Sequence, residues 1–546
     1  PKTGSFGGGT LITLIGTGFS NHTAITFCGK ACVVQGASST NYNCLTPKVE
    51  SAESQKSCQL SAAAGSLTVS SNVEYKYDIN LTPLIDEINP KRGGTGGGTP
   101  IFITGSGFGD SGSKVKIDGV TCDIAEQNDT FISCYTNEHQ GSIKALVEVL
   151  VPGQGLADYT DENNAEFYYI DRWSSPWTWG GRGTPLEDEF IVVSEGQTIL
   201  LDVSTPKLKF LLIQGGTLIF DEEQSNIDLH SEFILLVGGG VLQVGTEEKP
   251  YESQASITLH GSVRCTELPI FGCKALGVRN GTLDLHGKHV PITWTYLSET
   301  VNPGDTMISL KQPVTWKAGD RIVIASTGDS GSMHQNEEHI IISVSEDGMQ
   351  LQLSSPMTYK HISIEQSFGQ HIVESRAEVG LLTRNIKFLG HKNFEFMEEL
   401  PQCEDNFDAA MTNRLDNAMS CFSGKFGEEM GTDEMGAIII ISPKFKDQGL
   451  VTARIEYIEL NYVGQAFRVG RYPIHFHLPG NMSSSYVRGN AVHWSNNRAI
   501  TLHDVSNLVV EKNVLFNIKG LSIFLEDGVE TYNTLQYNLI IFPPKT

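Results

Sequence analysis

The chain has 546 residues, of which 39% are hydrophobic and 19% charged, a composition typical of soluble folded proteins and a length too great for one hydrophobic core. Its 39 Lys and Arg against 63 Asp and Glu give a net charge of −24, which argues against binding nucleic acid or an anionic membrane through the overall field. The 56 glycines and the many short Val, Ile, Thr and Tyr runs predict an all-β protein of several domains.

The cysteines and glycosylation sequons point to an oxidising compartment. Ten cysteines fall in local, even-numbered groups, which favours disulfides over zinc because no pair has C-x₂-C spacing. The expected disulfides are Cys122–Cys134, Cys265–Cys273 and Cys403–Cys421, while Cys28, Cys32, Cys44 and Cys58 pair among themselves in one of three ways. Five N-x-S/T sequons agree with an extracellular protein: Asn21, Asn80, Asn128, Asn280 and Asn481.

No apolar run approaches the 18 residues of a membrane-spanning helix, and the longest, FILLVGGGVLQV, is broken by three glycines. The sequence has no initiator Met and no signal peptide, and its last strand, LQYNLIIF, stops without a cap. We therefore expect a piece of a larger extracellular protein, anchored only through a transmembrane segment outside this sequence.

Two related repeats open the chain. GGGTLITLIGTGF (7–19) and GGGTPIFITGSGF (96–108) are offset by 89 residues, and each is followed by a β pattern and cysteines. The period predicts two immunoglobulin-like sandwiches, over residues 1–82 and 83–171, in which the glycines supply turns and the Ile, Leu and Phe positions the core. These residues resemble the IPT/TIG family, which implies spacer and adhesion modules.

At residue 172 the pattern changes to strands separated by regular glycine turns, which predicts a solenoid or stacked sheet over residues 172–300. Trp173, Trp177 and Trp179 fit either core packing or a platform for stacking sugars. The SSPWTWGG run resembles the eight-glycine domain found in fibrocystins and in the cell-migration-inducing and transmembrane hyaluronidases.

The C-terminal part shows an apolar-x-x-Asn pattern at LTRN, VRGN, VEKN and LQYN, and the last three segments are 23 and 25 residues apart. That spacing is typical of one coil of a right-handed parallel β-helix, whose asparagines stack at turns, and we predict this fold for residues 301–546. Residues 391–436 carry eleven acids and three bases and interrupt the coil as an excursion closed by Cys403–Cys421. The HQNEEH stretch (334–339) is interpreted as a solvated loop entering a strand.

One strand of each coil ends in an ionisable residue. PIHFH ends at His477, AITLH at His503 and SIFLE at Glu526, with separations of 26 and 23 residues. Because neighbouring parallel strands lie about 4.8 Å apart, these side chains are expected to stack in a row. His475 points the same way as His477, since alternate residues of a strand share a face.

Imidazoles with one carboxylate are a ligand set for zinc or another first-row divalent metal. The candidate ligands are His475, His477, His503 and Glu526. Asp504 and Asp527 follow the row and would orient imidazoles. Two alternatives stay open at this point: a metal-free acid–base cleft using Glu526, and a structural polar ladder.

Residues 465–527 carry six bases and four acids, a local +2 in a strongly acidic chain, so an anionic polysaccharide is an acceptable ligand there. No serine or cysteine nucleophile motif and no phosphate-binding glycine loop are recognisable.

The order of two IPT domains, an eight-glycine domain and a β-helix resembles the fibrocystin family over essentially the whole chain. The stretches that carry it are RYPIHFHLPGN, NNRAITLHDVSNLVVEKN and FLEDGVE followed by LQYNL. The coils also look like those of the cell-migration-inducing hyaluronidases. The combined resemblance implies these site positions, with Glu526 and Asp527 as the catalytic candidates: His475, His477, His503, Glu526 and Asp527.

Two functions are consistent with these observations. The first is a structural or receptor-like ectodomain segment of a large single-pass surface protein, which binds extracellular protein or glycan ligands; the fibrocystin resemblance places it on the cell surface, cilia or stereocilia included. The second is a glycan-directed hydrolase of the hyaluronidase type. We favour the first, because similarity of fold and site alone is analogy.

Overall fold

A computed structural model describes residues 1–20, 22–50, 54–64, 67–262, 265–392, 421–423, 429–431, 434–466 and 468–542. The chain divides into two compact units, Pro1–Arg172 and Trp173–Thr546. The all-β prediction is confirmed: the described residues contain no α-helix and three short 3₁₀ turns, Ile79–Leu81, Glu162–Asn164 and Pro176–Trp179. None of the helical turns in this described part has the length and apolarity needed to cross a membrane.

The first unit begins with a small sandwich of a five-stranded and a three-stranded sheet. Its strands are Thr3–Gly4, Leu11–Ile15, Ala24–Phe27, Lys30–Ala31, Val33–Ala37, Asn41–Leu45, Gln55–Ala64 and Leu67–Asp78. Two disulfides, Cys28–Cys58 and Cys32–Cys44, select one of the three connectivities that the sequence allows. Phe6, Phe27 and Tyr77 are completely buried and form the centre of the core between the sheets.

In the second immunoglobulin-like domain, ten strands are joined by hydrogen bonds into one continuous sheet. Its strands are Leu84–Asn89, Arg92–Gly93, Pro100–Ser106, Lys114–Ile117, Val120–Asn128, Phe131–Thr136, Ile143–Val151, Gly155–Leu156, Asp158–Tyr159 and Glu166–Tyr169. The expected Cys122–Cys134 disulfide joins neighbouring strands. Ile103, Ile117 and Phe167 are completely buried at the centre of its core, as expected for inward-facing positions of alternating strands.

The second unit is built on three parallel sheets that wind around one core. Sheet 1 contains Thr198–Leu201, Thr217–Phe220, Gly240–Val244, Gly281–His286, Val451–Glu456, Tyr486–Arg488, Val509–Glu511 and Thr534–Gln536. Sheet 2 contains Phe190–Ser194, Phe210–Gln214, Phe233–Val237, Ala275–Val278, Ile438–Ile441, Ile474–Asn481, Ile500–Ser506 and Ile523–Leu525. Sheet 3 contains Ile227–Ser231, Ala255–Leu259, Ile386–Gly390, Ile458–Val463, Ala491–Ser495, Val514–Ile518 and Leu539–Ile541.

From Thr217–Phe220 onward the chain visits sheets 1, 3 and 2 in turn, so each of these coils adds one strand to every sheet. Val487 pairs with Val510, which in turn pairs with Leu535, in an unbroken parallel register. The first two of these side chains point inwards and are completely buried, and the inner rows of all three sheets merge into a single apolar core. This arrangement is the parallel β-helix that the coil spacing predicts.

The asparagines of the repeated motif form a buried ladder at the turn between sheets 1 and 3. The Asn490 backbone N–H donates to Asn513 Oδ1 at 3.0 Å, and the Asn513 N–H donates to Asn538 Oδ1 at 3.1 Å. The Asn490 Nδ2 donates to the Ile455 carbonyl at 2.9 Å, and the Asn513 Nδ2 donates to the Val487 carbonyl at 3.0 Å. The amides thus satisfy backbone groups that the turn removes from the sheets.

Asn385, the fourth member of the pattern, performs the same task without the stack. Its Nδ2 donates to the carbonyls of Tyr251 and Ser253 at 2.6 and 2.7 Å, and its Oδ1 accepts from the Lys288 N–H at 2.8 Å. Asn385 therefore closes an earlier turn of the same helix.

The β-helix begins well before residue 301, where we expected it to follow a separate domain at 172–300. Ile386 pairs with Ala255 on one side and with Ile458 on the other, so strands from both predicted segments share one sheet. The two predicted segments form one continuous β-helix because their inward-facing residues repeat the same apolar pattern and pack into the same core.

Between sheet 1 and sheet 3 of one coil, the chain leaves the helix to form an antiparallel module. Its six-stranded sheet contains Trp294–Tyr296, Met307–Ser309, Arg321–Ile324, Glu337–Val344, Gln350–Leu353 and Glu378–Leu381, and a hairpin contains Ser363–Phe368 and His371–Arg376. Val323 and Leu382 pack with Val514 and Leu539 of sheet 3. The module therefore covers the outer face of the last coils.

Glu337 and His361 form a buried pair inside this module, so the interpretation of HQNEEH as a solvated loop is wrong at its C-terminal end. Glu337 is 7% exposed and accepts hydrogen bonds from the N–H groups of Thr358 and Tyr359, both at 2.7 Å. His361 is completely buried between Glu337 Oε1 at 3.1 Å and the Ala325 carbonyl at 2.7 Å. Burial opposes ionisation, but these hydrogen bonds outweigh it and lower the pKa of Glu337.

Most of the predicted excursion at residues 391–436, including Cys403, lies outside the described residues. Its two ends meet at Lys274, whose ammonium donates to the His391 carbonyl at 2.6 Å and to the Met435 carbonyl at 2.8 Å. Burial lowers the pKa of Lys274 to about 7. Within this segment the structure describes two short strands, Cys421–Ser423 and Glu429–Gly431, which pair with each other in antiparallel fashion.

We expect Asn513→Ala to lower the melting temperature, because each buried backbone group left without a partner costs about 1–3 kcal/mol. Thermal unfolding followed by circular dichroism measures the change. Asn302→Ala is the matched control, since Asn302 is exposed and outside the ladder. Equal melting temperatures for the two variants would mean that the ladder contributes no stability.

Glu337→Gln is expected to lower the melting temperature at pH 7, and the difference from the wild type should shrink as the pH falls. The lowered pKa means that ionised Glu337 adds stability above its unfolded pKa, about 4.3, and that this stability is lost as the pH falls through the folded value. Melting curves at pH 7, 5, 4 and 3 test this, with exposed Glu346→Gln as the control. A difference that is constant with pH would contradict it.

Candidate metal centre

The candidate site lies on sheet 2, where three strands of successive coils end close together. His475 is in register with Thr501 and Phe524, one and two coils further on. His477 is in register with His503, as the coil spacing predicts. Glu526 directly follows the strand Ile523–Leu525 and extends this second row.

His475 is the most buried member, at 2% exposure. Its Nδ1 lies 3.0 Å from the Gly470 carbonyl, which can only accept a hydrogen bond, so Nδ1 carries the proton and Nε2 has a lone pair. Burial and the neighbouring His477 lower the pKa of His475 to about 3, although the Gly470 hydrogen bond acts in the opposite direction. The side chain is therefore a neutral imidazole, the form that binds metals.

His503 is oriented by the carboxylate that follows the row. Its Nε2 lies 2.8 Å from Asp527 Oδ2, so Nε2–H donates and Nδ1 keeps its lone pair. That Nδ1 is 3.7 Å from Glu526 Oε2. A carboxylate that holds the far nitrogen of an imidazole is the usual support for a metal-binding histidine.

Glu526 presents its two oxygens to different neighbours. Oε1 is 3.7 Å from Nη1 of Arg498, which also donates to the Tyr472 hydroxyl at 2.6 Å. The guanidinium lies 4.0 Å from the centroid of the Phe524 ring, which fixes it further. Oε2 therefore remains available on the side that faces the two imidazoles.

Three ligand atoms converge on one point: His475 Nε2, His503 Nδ1 and Glu526 Oε2 lie within 4.8 Å of one another. His475 Nε2 and Glu526 Oε2 are 3.8 Å apart, and both are buried without a hydrogen-bond partner among the described residues. Tetrahedral zinc with bonds of about 2.0–2.1 Å separates its ligands by about 3.3–3.4 Å. The distances from Glu526 Oε2 to His475 Nε2 and to His503 Nδ1, 3.8 and 3.7 Å, are within about half an ångström of that separation.

Two of the sequence candidates have other partners. His477 Nδ1 lies 3.1 Å from the Ser442 hydroxyl, and His477 is not part of the convergent group although its ring touches those of His475 and His503. Asp504 pairs with Lys446 at 2.7 Å instead of orienting an imidazole. The coil spacing predicts the rows of residues correctly, but it does not fix how the side chains rotate within a row.

A cleft of about 180 Å³ opens onto the triad and gives a ligand access. Its walls include Ile270, Val469 and Arg471, and Val469 is 84% exposed at the rim. Arg471 is held in place by donating to the Ile270 carbonyl at 2.8 Å. Three protein ligands leave at least one coordination position of a metal free, and Arg471 and Arg498 make the surroundings favourable for an anion.

The sequence alone does not reveal Arg498, Tyr472 and Thr501 as part of this site. Thr501 occupies the position after His475 in the first row, and its buried hydroxyl has no partner among the described residues. Arg498 and Tyr472 lie in turns that precede the strands, where no repeat marks them. In the sequence, these two residues are marked only by their closeness to the candidate ligands: Tyr472 comes three residues before His475, and Arg498 comes five residues before His503.

The remaining predicted positions divide as follows. Asn80, Asn128 and Asn481 are exposed and Asn280 is half-buried, whereas Asn21 lies outside the described residues. The Cys265–Cys273 disulfide is present. Trp173 is buried and its carbonyl accepts from Trp179 Nε1 at 2.8 Å, which is core packing, while Trp177 is 84% exposed.

Comparison with protein families gives matches in the same order as the fold. The profile of the IPT/TIG domain matches residues 1–77 and 83–169, that of the G8 domain residues 178–298, and that of the CEMIP beta-helix residues 434–545. The last match contains every member of the convergent triad. These matches support the all-β, multi-domain fold.

Curated relatives match nearly the whole chain. Human fibrocystin-L is 46% identical over 99% of this chain, and fibrocystin of Canis lupus familiaris is 29% identical over 96%. This chain spans 13% of the length of each of these relatives. Among solved structures, the extracellular region of plexin A4 is 12% identical with a TM-score of 0.20, covering 68% of this chain and 21% of that chain.

Proposed function

Because this chain belongs to the fibrocystin family, as a homologue of fibrocystin-L, we propose that it acts as a receptor-like ectodomain segment whose β-helix binds a divalent metal ion and, through it, an acidic extracellular ligand. Homology and the disulfides support an extracellular location. One observation carries the proposal: His475 Nε2 and Glu526 Oε2 are buried, have no hydrogen-bond partner in the part of the chain that the structure describes, and converge with His503.

The donor set determines which metal fits. Two neutral imidazoles and one carboxylate suit zinc and other first-row divalent ions, whereas calcium and magnesium prefer oxygen ligands alone. A structural polar ladder would satisfy its own hydrogen bonds, but His475 Nε2 and Glu526 Oε2 have no hydrogen-bond partner among the described residues, at a cost of about 1–3 kcal/mol each. A bound cation would remove that cost.

The ligand is acidic because of the charges around the open side of the site. Arg471 lines the cleft, Arg498 contacts Glu526, and both lie in a stretch that is locally basic. A carboxylate or sulfate group would meet the metal and these guanidinium groups together. Acidic glycans and acidic protein segments both carry such groups, and location on cilia or stereocilia stays a prediction.

A glycan-directed hydrolase is the second candidate, favoured by the open cleft and by two carboxylates, Glu526 and Asp527, at the same site. A divalent ion there would supply Lewis-acid activation of water or of a sugar oxygen. His503 and Asp527 form a hydrogen-bonded pair that can hold a proton at His503 Nε2. A hydrolase would require the same metal site and, in addition, catalytic turnover of a glycan.

We expect the chelator-washed protein to bind one equivalent of zinc or cobalt. His475→Ala and Glu526→Gln should each abolish stoichiometric binding, because each removes one of three ligands. Isothermal titration calorimetry and the visible spectrum of bound cobalt provide the measurement. His477→Ala is the matched control and should keep one equivalent, since His477 bonds to Ser442. No metal in the wild-type protein would refute the proposal.

Asp527→Asn should weaken metal binding by about 10- to 100-fold without changing the stoichiometry, the usual effect of removing a carboxylate that orients a ligand histidine. Asp504→Asn should leave the affinity unchanged, because Asp504 pairs with Lys446. Equal effects of the two variants in the same titration would show that Asp527 has no specific role.

Turnover separates the two functions. Hyaluronan incubated with the zinc-loaded protein should keep its length on size-exclusion chromatography if the segment is a binding ectodomain. Depolymerisation that is lost in Glu526→Gln and retained in His477→Ala would favour the hydrolase instead.

A further inference from the structure

A pair of aromatic side chains stands at a corner of the β-helix, at the end of two sheet 3 strands. Asn461 pairs with His493 and Val463 with Ser495, which places Tyr462 directly opposite Trp494 on the next coil. Their ring centroids are 6.3 Å apart and the planes are inclined by 32°. Trp494 is 43% exposed. Two rings one coil apart thus form a continuous apolar strip at the surface.

The corner demands a left-handed backbone, which makes these residue types unusual there. Tyr462 has φ 52° and Trp494 has φ 57°, and Asn517 takes the same position on the following coil with φ 54°. Asparagine tolerates this conformation, whereas bulky side chains adopt it at a cost of about 1–2 kcal/mol. Aromatic rings at two such corners, with one of them exposed, are not explained by packing alone.

A groove of about 540 Å³ begins beside Tyr462 and runs between sheet 3 and the antiparallel module. Its walls include Thr258, Lys387, Asn461 and Lys392. We call these residues, with Tyr462 and Trp494, the aromatic–lysine groove. Its volume lies within the range of about 300–1,000 Å³ that is usual for small-ligand sites.

Two lysines, Lys387 and Lys392, line the groove. The Lys392 ammonium lies 3.7 Å from the centroid of the Tyr462 ring, and neither it nor Lys387 forms an ion pair with a carboxylate in the described part of the chain. The acid of the groove, Glu459, is already occupied: its Oε1 is 3.1 Å from His493 Nε2. In a protein of net charge −24, two ammonium groups that line one groove, one of them over an aromatic ring, favour an acidic ligand there.

We propose that the aromatic–lysine groove is a binding site for an acidic oligosaccharide, separate from the metal centre. The apolar face of a sugar ring would stack on the exposed Trp494, and a uronate or sulfate group would pair with Lys387 and with Lys392, whose ammonium lies over the Tyr462 ring. Asn461 and Thr258 offer an amide and a hydroxyl to the sugar hydroxyls. Aromatic faces suit any sugar, so the lysines determine that the ligand is acidic.

The test is calorimetric titration of the whole chain with a heparin-derived hexasaccharide, and with neutral chitohexaose of the same length. EDTA is present throughout, so binding at the metal centre is excluded and the two proposals fail independently. We expect the acidic hexasaccharide to bind at least about tenfold more tightly than the neutral one, with an affinity that falls as salt rises.

Trp494→Ala should weaken binding of the acidic hexasaccharide about tenfold, and the double variant Lys387→Gln/Lys392→Gln should weaken it as much and flatten the salt dependence. The matched controls are Trp177→Ala, which removes an exposed Trp elsewhere, and Lys360→Gln, which removes an exposed Lys; both should bind as the wild type does. Absence of binding, or equal binding by the groove and control variants, would overturn the site. Equal affinity for chitohexaose would overturn its preference for acids.

Discussion

The in-register hydrogen bonding between successive coils is the constraint on which the second unit depends. A strand such as Ile500–Ser506 is held on both sides, by Ile474–Asn481 and by Ile523–Leu525, and its partners lie about one coil away in sequence. In the last coils this pairing makes neighbours of residues 23 to 26 positions apart, such as His477 and His503 or Val487 and Val510. The inward-facing side chains of successive coils then pack into one core, and the outward-facing side chains form rows along the surface.

Much of this could be predicted from the sequence because the coil repeats. The Asn490, Asn513 and Asn538 ladder and the pairing of His477 with His503 both follow from spacing alone. Spacing does not encode rotation about side-chain bonds. His475, which belongs to a different row, therefore joins Glu526 in the convergent group, while His477 turns to Ser442, a residue 35 positions earlier.

The antiparallel module was not predictable for a related reason. Its strands Arg321–Ile324 and Glu337–Val344 pair locally and carry no coil repeat, so nothing in the pattern separates them from the helix. The charged HQNEEH stretch suggests a surface, yet Glu337 is buried because two backbone N–H groups and His361 satisfy it. Charge in a sequence indicates exposure only when the fold offers no such partners.

The packing of this module has a consequence for the order in which the chain acquires its structure. Val323 and Leu382 lie against Val514 and Leu539, and Trp294 Nε1 donates to the Tyr537 carbonyl at 2.8 Å. During synthesis the ribosome delivers these partners more than a hundred residues apart, at about 5–20 residues per second. For several seconds at least, the apolar flank of the module emerges with nothing to cover it. Apolar surface that is exposed in this way makes a folding chain prone to aggregate, until the last coils form and cover the flank.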